Sequence, residues 1–140
     1  MDDVGRTFDV WPIGHVESTL IDLNAAPRQP DEGAPDAVVV VDPSYRDAVG
    51  GLAAGDEVIV ITWLDRGDRA VLQTHPRGDV DREPLGVFAT RSPDRPNPIG
   101  LHTVRLVAVD DLRLHLQHLE AIDGTPVLDI KPVLGSVEQR

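Results

Sequence analysis

The chain has 140 residues, no cysteine, 41% hydrophobic residues and a formal net charge of −11. That size and apolar content suit one folded domain over residues 1–140. The missing thiols exclude disulfides, thiolate metal sites and a cysteine nucleophile, and the acidic balance argues against nonspecific binding to polyanions. No apolar run reaches the length of a membrane span, so no membrane partner is expected. The opening Met1-Asp2-Asp3-Val4 lacks the basic and apolar regions of a signal peptide, so a cytoplasmic location is expected.

In chain order, Trp11-Pro12-Ile13-Gly14-His15-Val16 reads as a short strand with a close backbone approach at Gly14. Residues 23–35 are rich in Pro, Asp and Gly and read as a loop. Ala37 to Val41 is a continuous β-branched run, expected as a fully buried strand. Pro43 to Leu52 is expected as a short helix with Pro43 in its first turn and Tyr45, Ala48, Val49 and Leu52 on one face. Glu57 to Leu64 is the strongest strand pattern. Val71 to His75 and Val87 to Thr90 are further short strands, separated by a charged loop. Leu101 to Val109 alternates, with Val104, Leu106 and Ala108 facing one way and Thr103, Arg105 and Val107 the other. After a tight turn at Asp110-Asp111, the alternation of Leu112, Leu114 and Leu116 with Arg113, His115 and Gln117 completes a hairpin. Asp123-Gly124-Thr125-Pro126 is a turn, and Val127 to Ile130 is a last strand. This pattern predicts a mainly β fold: a small β-barrel with one short helix.

The most informative stretch runs from Gly86 to Gly100. Three prolines fix φ and remove donors at their own positions. They also push Ser92, the preceding residue of Pro93, together with Arg95 and Asn97, out of the helical region. The loop is therefore stiff and holds Arg91, Arg95 and Asn97 in fixed directions, as a preorganised site requires. Two readings of the arginines stand at this level. They are solvated or ion-paired with Asp94 and Asp81, or their guanidinium forks bind a carboxylate, phosphate or nucleobase.

Other candidate chemistry is sparse. There is no Gly-x-x-x-x-Gly-Lys phosphate loop and no Gly-x-Ser-x-Gly elbow. His115 and His118 would point to opposite faces of a strand, so they read as surface histidines and no metal site is expected. His75 and His102 are isolated in sequence: either could serve as a base, but without a visible partner a hydrogen-bonded structural role is the favoured reading. Ala25 to Pro30 reads as linker on pattern alone. Gly124 permits a positive φ. Asp129 and Lys131 share a strand face and can pair.

Taken together, these segments resemble the TsaA-like, or TrmO, family of S-adenosylmethionine-dependent tRNA adenosine N6-methyltransferases. The likeness lies in Arg91-Ser92-Pro93-Asp94-Arg95-Pro96-Asn97-Pro98-Ile99-Gly100, in Ile13 to Ser18, in Pro27-Arg28-Gln29-Pro30, in Gly51-Leu52 with Trp63-Leu64-Asp65-Arg66, and in Asp123 to Pro132. It implies a TsaA-like methyltransferase barrel, a homodimer with the cofactor near the subunit boundary, S-adenosyl-L-methionine as cofactor and tRNA as partner. Matching positions give Pro27, Arg28, Gln29, Asp65, Arg66, Arg91, Leu101, Asp123, Gly124 and Thr125 as cofactor-binding candidates. They give Arg95 and Asn97 as acceptor-binding candidates. The sequence departs from the pattern at Asp65, where many relatives carry His after the Trp-Leu pair. It also ends eight residues after Pro132, where the tRNA-acting relatives are expected to continue into a C-terminal extension.

The expected reaction is direct methyl transfer, in which the protein aligns acceptor and methyl and a hydrogen-bond acceptor takes the proton from N6. Asn97 and Asp94 are the side-chain candidates, and a backbone carbonyl is the third possibility. Arg91 is placed to hold the cofactor carboxylate bidentately. Two alternatives remain: a methyltransferase of the same fold acting on a small molecule or another RNA, and a non-catalytic module that senses S-adenosylmethionine.

Overall fold

The structure, a computed structural model, describes residues 5–21, 34–75 and 79–135. Among the described residues eight strands form: β1 (Gly14–Glu17), β2 (Ala37–Val41), β3 (Glu57–Trp63), β4 (Gln73–Thr74), β5 (Leu85–Gly86), β6 (Ile99–Asp110), β7 (Arg113–Leu116) and β8 (Pro126–Pro132). Six of them close a barrel in the order β1-β2-β7-β6-β3-β8. Closure follows from β8, which pairs antiparallel with both β3 and β1. Strands β4 and β5 form a separate two-stranded ribbon.

The period-2 patterns produce this barrel because each strand has one inward face. On β6, His102, Val104 and Leu106 point inward and are buried, while Leu101, Thr103, Arg105 and Val107 point out. On β7, Leu114 and Leu116 are each 1% exposed. Val16, Val39, Val58, Val60, Leu119 and Val127 complete the filling. Truncating one of these leucines to alanine should cost about 2–5 kcal/mol through lost transfer energy and the cavity left behind. Gly14 lies where an added Cβ would sit 2.2 Å from the Val40 carbonyl oxygen, which is the close approach expected there.

Several expectations change in the folded chain. Ala37–Val41 is not fully buried: Ala37, Val39 and Val41 are buried, whereas Val38 and Val40 are half-buried. A barrel wall has only one interior face, and here the run supplies both faces with valine. The expected helix is a 3-10 helix, Pro43–Val49, interrupted by non-helical Tyr45 and capped by Asp42, which accepts from the Ser44 N–H. Val87–Thr90, expected as a strand, is instead a second 3-10 turn, Val87–Ala89. Val87 is buried as an anchor, and its carbonyl accepts from both the Thr90 N–H and the Thr90 hydroxyl. The neighbouring ladder is made by Leu85 and Gly86 with Gln73 and Thr74. The expected strand Val71–His75 therefore shrinks to two residues. No helix among the described residues is long and apolar enough to cross a membrane.

Candidate functional site

The stiffness expected of the proline loop is visible bond by bond. The Ser92 N–H donates to Thr90 Oγ1, and the Asp94 N–H donates to Ser92 Oγ. Arg95 Nη1 donates to the carbonyls of Thr90 and Ser92, both at 3.0 Å. Arg95 is thus turned back into its own loop as a brace. The ion pairing of either arginine with Asp94 or Asp81, one of the two readings of the sequence, is not made among the described residues.

The segment after β3 closes onto this loop. The Leu64 N–H donates to the Pro98 carbonyl at 2.7 Å, and the Asp68 N–H donates to Asp94 Oδ1 at 2.8 Å. Arg69 Nε donates to the Pro96 carbonyl at 2.6 Å, Arg69 Nη2 donates to Asn97 Oδ1 at 3.0 Å, and its guanidinium lies 5.3 Å from the centre of the Trp63 ring. Gly67 permits this approach: a Cβ there would stand 2.3 Å from the Pro93 carbonyl oxygen. Sequence reading places Asp65 to Arg69 in a turn with Gly67 but misses Arg69 as a partner of the proline loop. The available signal was a strand-ending Trp63 followed by closely spaced arginines and a glycine.

A third segment completes the cluster. Gly124 has φ +84°, as its turn required, and the turn is tied down at each residue. The Asp123 N–H donates to the Leu20 carbonyl, the Gly124 N–H to the Val16 carbonyl, and the Thr125 hydroxyl to the Ile122 carbonyl. Asp123 Oδ1 accepts from the Ser18 N–H. Leu64, Asp65, Arg66, Gly67, Pro93, Glu120, Ala121, Ile122 and Thr125 line a small cleft of about 40 Å³. Gly124 faces a second, open groove of about 350 Å³ instead, beside Pro12, Gly14, His15, Asp42 and Pro126.

The expected site residues therefore divide. Asp65, Arg66 and Thr125 meet at the cleft, with Pro93 from the proline loop. Arg91 and Arg66 are both exposed, and neither makes a hydrogen bond or ion pair among the described residues. Asp94, Arg95 and Asn97 are engaged within the loop cluster rather than lining the cleft. Leu101 lies on the outer face of β6 and is 44% exposed. Pro27, Arg28 and Gln29 lie outside the described residues.

Beneath this end of the barrel sits a buried polar pair. Thr62 and His102 are 0% and 6% exposed, and Thr62 Oγ1 lies 2.8 Å from His102 Nε2. Gly100 leaves room above them: a Cβ there would meet Thr62 Oγ1 at 2.4 Å and His102 Nε2 at 2.9 Å. Burial, and then the Arg91 charge, lower the His102 pKa to about 4. The imidazole is therefore neutral near pH 7. Its Nδ1 has no hydrogen-bond partner among the described residues. Among the described residues no group of three or more His, Asp or Glu side chains could hold a metal.

Several known proteins resemble this chain in sequence and fold. A protein of Archaeoglobus fulgidus named "S-adenosyl-L-methionine-binding protein" is 39% identical over 131 residues, covering 91% of this chain and 93% of its own. A Methanothermobacter thermautotrophicus protein, named "Probable S-adenosyl-L-methionine-binding protein", is 39% identical over 129 residues and 92% of each chain. The crystal structure of TrmO from Pseudomonas aeruginosa superposes with a TM-score of 0.75 at 33% identity, over 96% of this chain and 61% of that one. This chain thus spans about three-fifths of the length of that TrmO protein. The family described as the tRNA-methyltransferase O N-terminal domain matches residues 15–139, and the chain belongs to that family.

Proposed function

We propose that this protein is an S-adenosylmethionine-dependent methyltransferase that methylates N6 of a threonylcarbamoyl-type adenosine in the tRNA anticodon loop. One observation carries the reading: the proline loop, the Leu64–Gly67 segment and the Glu120–Thr125 segment, far apart in sequence, converge on one cleft, with two exposed guanidiniums, Arg66 and Arg91, belonging to these segments or the residues beside them. Family membership and the names of the relatives support the same chemistry.

The residues present suit that cofactor. Arg91 or Arg66 can take the methionine carboxylate through a bidentate fork. When bound, S-adenosylmethionine supplies an electrophilic methyl on its sulfonium. The chain's own task is to align the acceptor and to take a proton from the N6 amine as the new N–C bond forms. Asn97 Oδ1 is already bound by Arg69, which makes it a poor proton acceptor. Asp94 has one carboxylate oxygen beyond that bound by the Asp68 N–H, so the reading assigns the proton to Asp94.

A cleft of about 40 Å³ is well below the roughly 300–1,000 Å³ of drug-sized ligand sites. More walls are needed, and a second copy of the chain can supply them. The outer faces of β3 and β6 offer a surface for it. Ile61 lies opposite Leu101 and Trp63 opposite Ile99 in register, and Ile99 and Leu101 are 45% and 44% exposed. A homodimer through this face would put Leu101 at the subunit boundary, as the family resemblance implies. Segment 27–29, with Gln29, is proposed to complete the cofactor site.

Mass spectrometry of tRNA nucleosides from a deletion strain tests the reading. The N6-methylated threonylcarbamoyl adenosine should disappear and return on complementation; an unchanged nucleoside profile counts against tRNA as substrate. The net charge of −11 favours, as a second reading, a small-molecule acceptor. In that case the purified protein would transfer methyl to a metabolite extract and not to the tRNA of the deletion strain, which lacks the N6-methyl group.

A further inference from the structure

Asn97 occupies the proline loop beside the cleft, and its amide has two chemically opposite edges. The carbonyl edge accepts, and the NH₂ edge donates. Which edge faces outward decides what the residue can recognise. The neighbouring side chain fixes which edge that is. A guanidinium has five donors and no acceptor, so the atom 3.0 Å from Arg69 Nη2 has to be Oδ1.

Arg69 is itself held on two other sides. Its Nε donates to the Pro96 carbonyl, and its plane lies against Trp63 at the end of β3. Lysine cannot reproduce that set, because it lacks both the planar fork and the stacking face. The backbone on either side of Asn97 is restricted too: prolines flank it, and its carbonyl accepts from the Ile99 N–H at 2.7 Å. The outward Nδ2 makes no hydrogen bond among the described residues, and Asn97 is exposed.

We propose that Arg69 is a positioning residue that fixes the Asn97 amide with its NH₂ edge outward, so that Asn97 reads a hydrogen-bond acceptor on the substrate. This rests on the methyl-transfer reading above and deepens it. The atom recognised is an acceptor, such as an unprotonated ring nitrogen, a carbonyl or a carboxylate of the modified adenosine, and not the N6 amine. Asn97 therefore selects and orients the acceptor, and the proton leaves elsewhere.

The test combines kinetics with a measurement that needs no turnover. Asn97→Asp keeps an oxygen toward Arg69 but replaces the outward donor by an acceptor. Its melting temperature and its affinity for S-adenosylmethionine should match those of the wild type. Its KM for tRNA should rise about tenfold or more, the loss expected when a donor facing an acceptor is removed. Assays in about 0.3 M salt screen the added negative charge. Arg69→Lys should raise the KM for tRNA in the same direction without abolishing folding. In ¹⁵N spectra, the Asn97 side-chain NH₂ pair, assigned by its loss in Asn97→Asp, should shift in Arg69→Met. A fully active Asn97→Asp, or an Asn97 pair unmoved by Arg69→Met, overturns the proposal. If the wild type transfers no methyl to tRNA, the methyl-transfer reading fails, and the spectra alone still decide whether Arg69 sets the amide.

Discussion

Acidification from pH 7 to pH 5 should weaken the fold through one buried histidine. His102 is 6% exposed and its pKa is lowered to about 4 from an ordinary 6.5, first by burial and second by the Arg91 charge. In the unfolded chain the imidazole is solvated and takes its proton near pH 6.5. The unfolded state therefore gains a proton that the native state refuses. The contribution of His102 to stability is whole above pH 6.5, falls as the pH drops toward 4, and levels off below that. At roughly 1.4 kcal/mol per pH unit, the loss from this group is about 2 kcal/mol at pH 5 and approaches about 3 kcal/mol below pH 4. Against a typical total of about 5–15 kcal/mol this is readily measured. Stability at a given pH sums over every ionisable group, so the comparison has to be differential. The double variant Thr62→Val/His102→Met replaces both members of the pair by apolar side chains, which avoids leaving an orphan hydroxyl. Urea unfolding at pH 7 and pH 5 should show the wild type losing about 2 kcal/mol more than the variant. Equal losses in the two proteins would refute the assignment of a neutral, buried His102.

Three further outcomes follow from the site. Gly67→Ala should weaken S-adenosylmethionine binding by about tenfold or more in calorimetry, because its Cβ would press on the Pro93 carbonyl 2.3 Å away. Gly86→Ala, with its nearest atom 4.0 Å off, serves as the control and should bind normally. Arg91→Ala should also weaken that binding by more than about tenfold, the scale of a charge-assisted fork, and an unchanged affinity would end its assignment to the cofactor carboxylate. Leu101→Asp should convert a dimer to a monomer in size-exclusion chromatography with light scattering, by placing a charge in an apolar contact; a wild type that is monomeric, or a variant that stays dimeric, would exclude the β3–β6 face as the interface.

Much of the barrel was legible along the chain. The alternation at Val104, Leu106, Leu114 and Leu116 sets which side chains fill the interior, and it needs no partner strand to be read. Gly124 and its turn, the close approach at Gly14 and the stiffness of the loop from Ser92 to Pro98 are equally local properties of glycine and proline. Val87–Thr90 shows where this reasoning stops. A short β-branched and aromatic run suits a strand or a buried anchor, and only its surroundings choose between them. The same holds for the charged groups. Residue type alone left Arg91 and Arg95 equivalent, yet the fold turns Arg95 into its own loop carbonyls and leaves Arg91 open. Arg69 gave no signal as a partner of Asn97, because the two lie 28 positions apart and meet only when the segment after β3 folds onto the proline loop. Local sequence determined the strands, the turns and a rigid loop, since backbone sterics and the two-residue period act within a few residues. Tertiary structure decided that Arg95 and Arg69 are engaged by loop carbonyls while Arg91 has no such partner among the described residues, and which edge of Asn97 faces outward, since hydrogen bonds between distant segments form only after the barrel has closed.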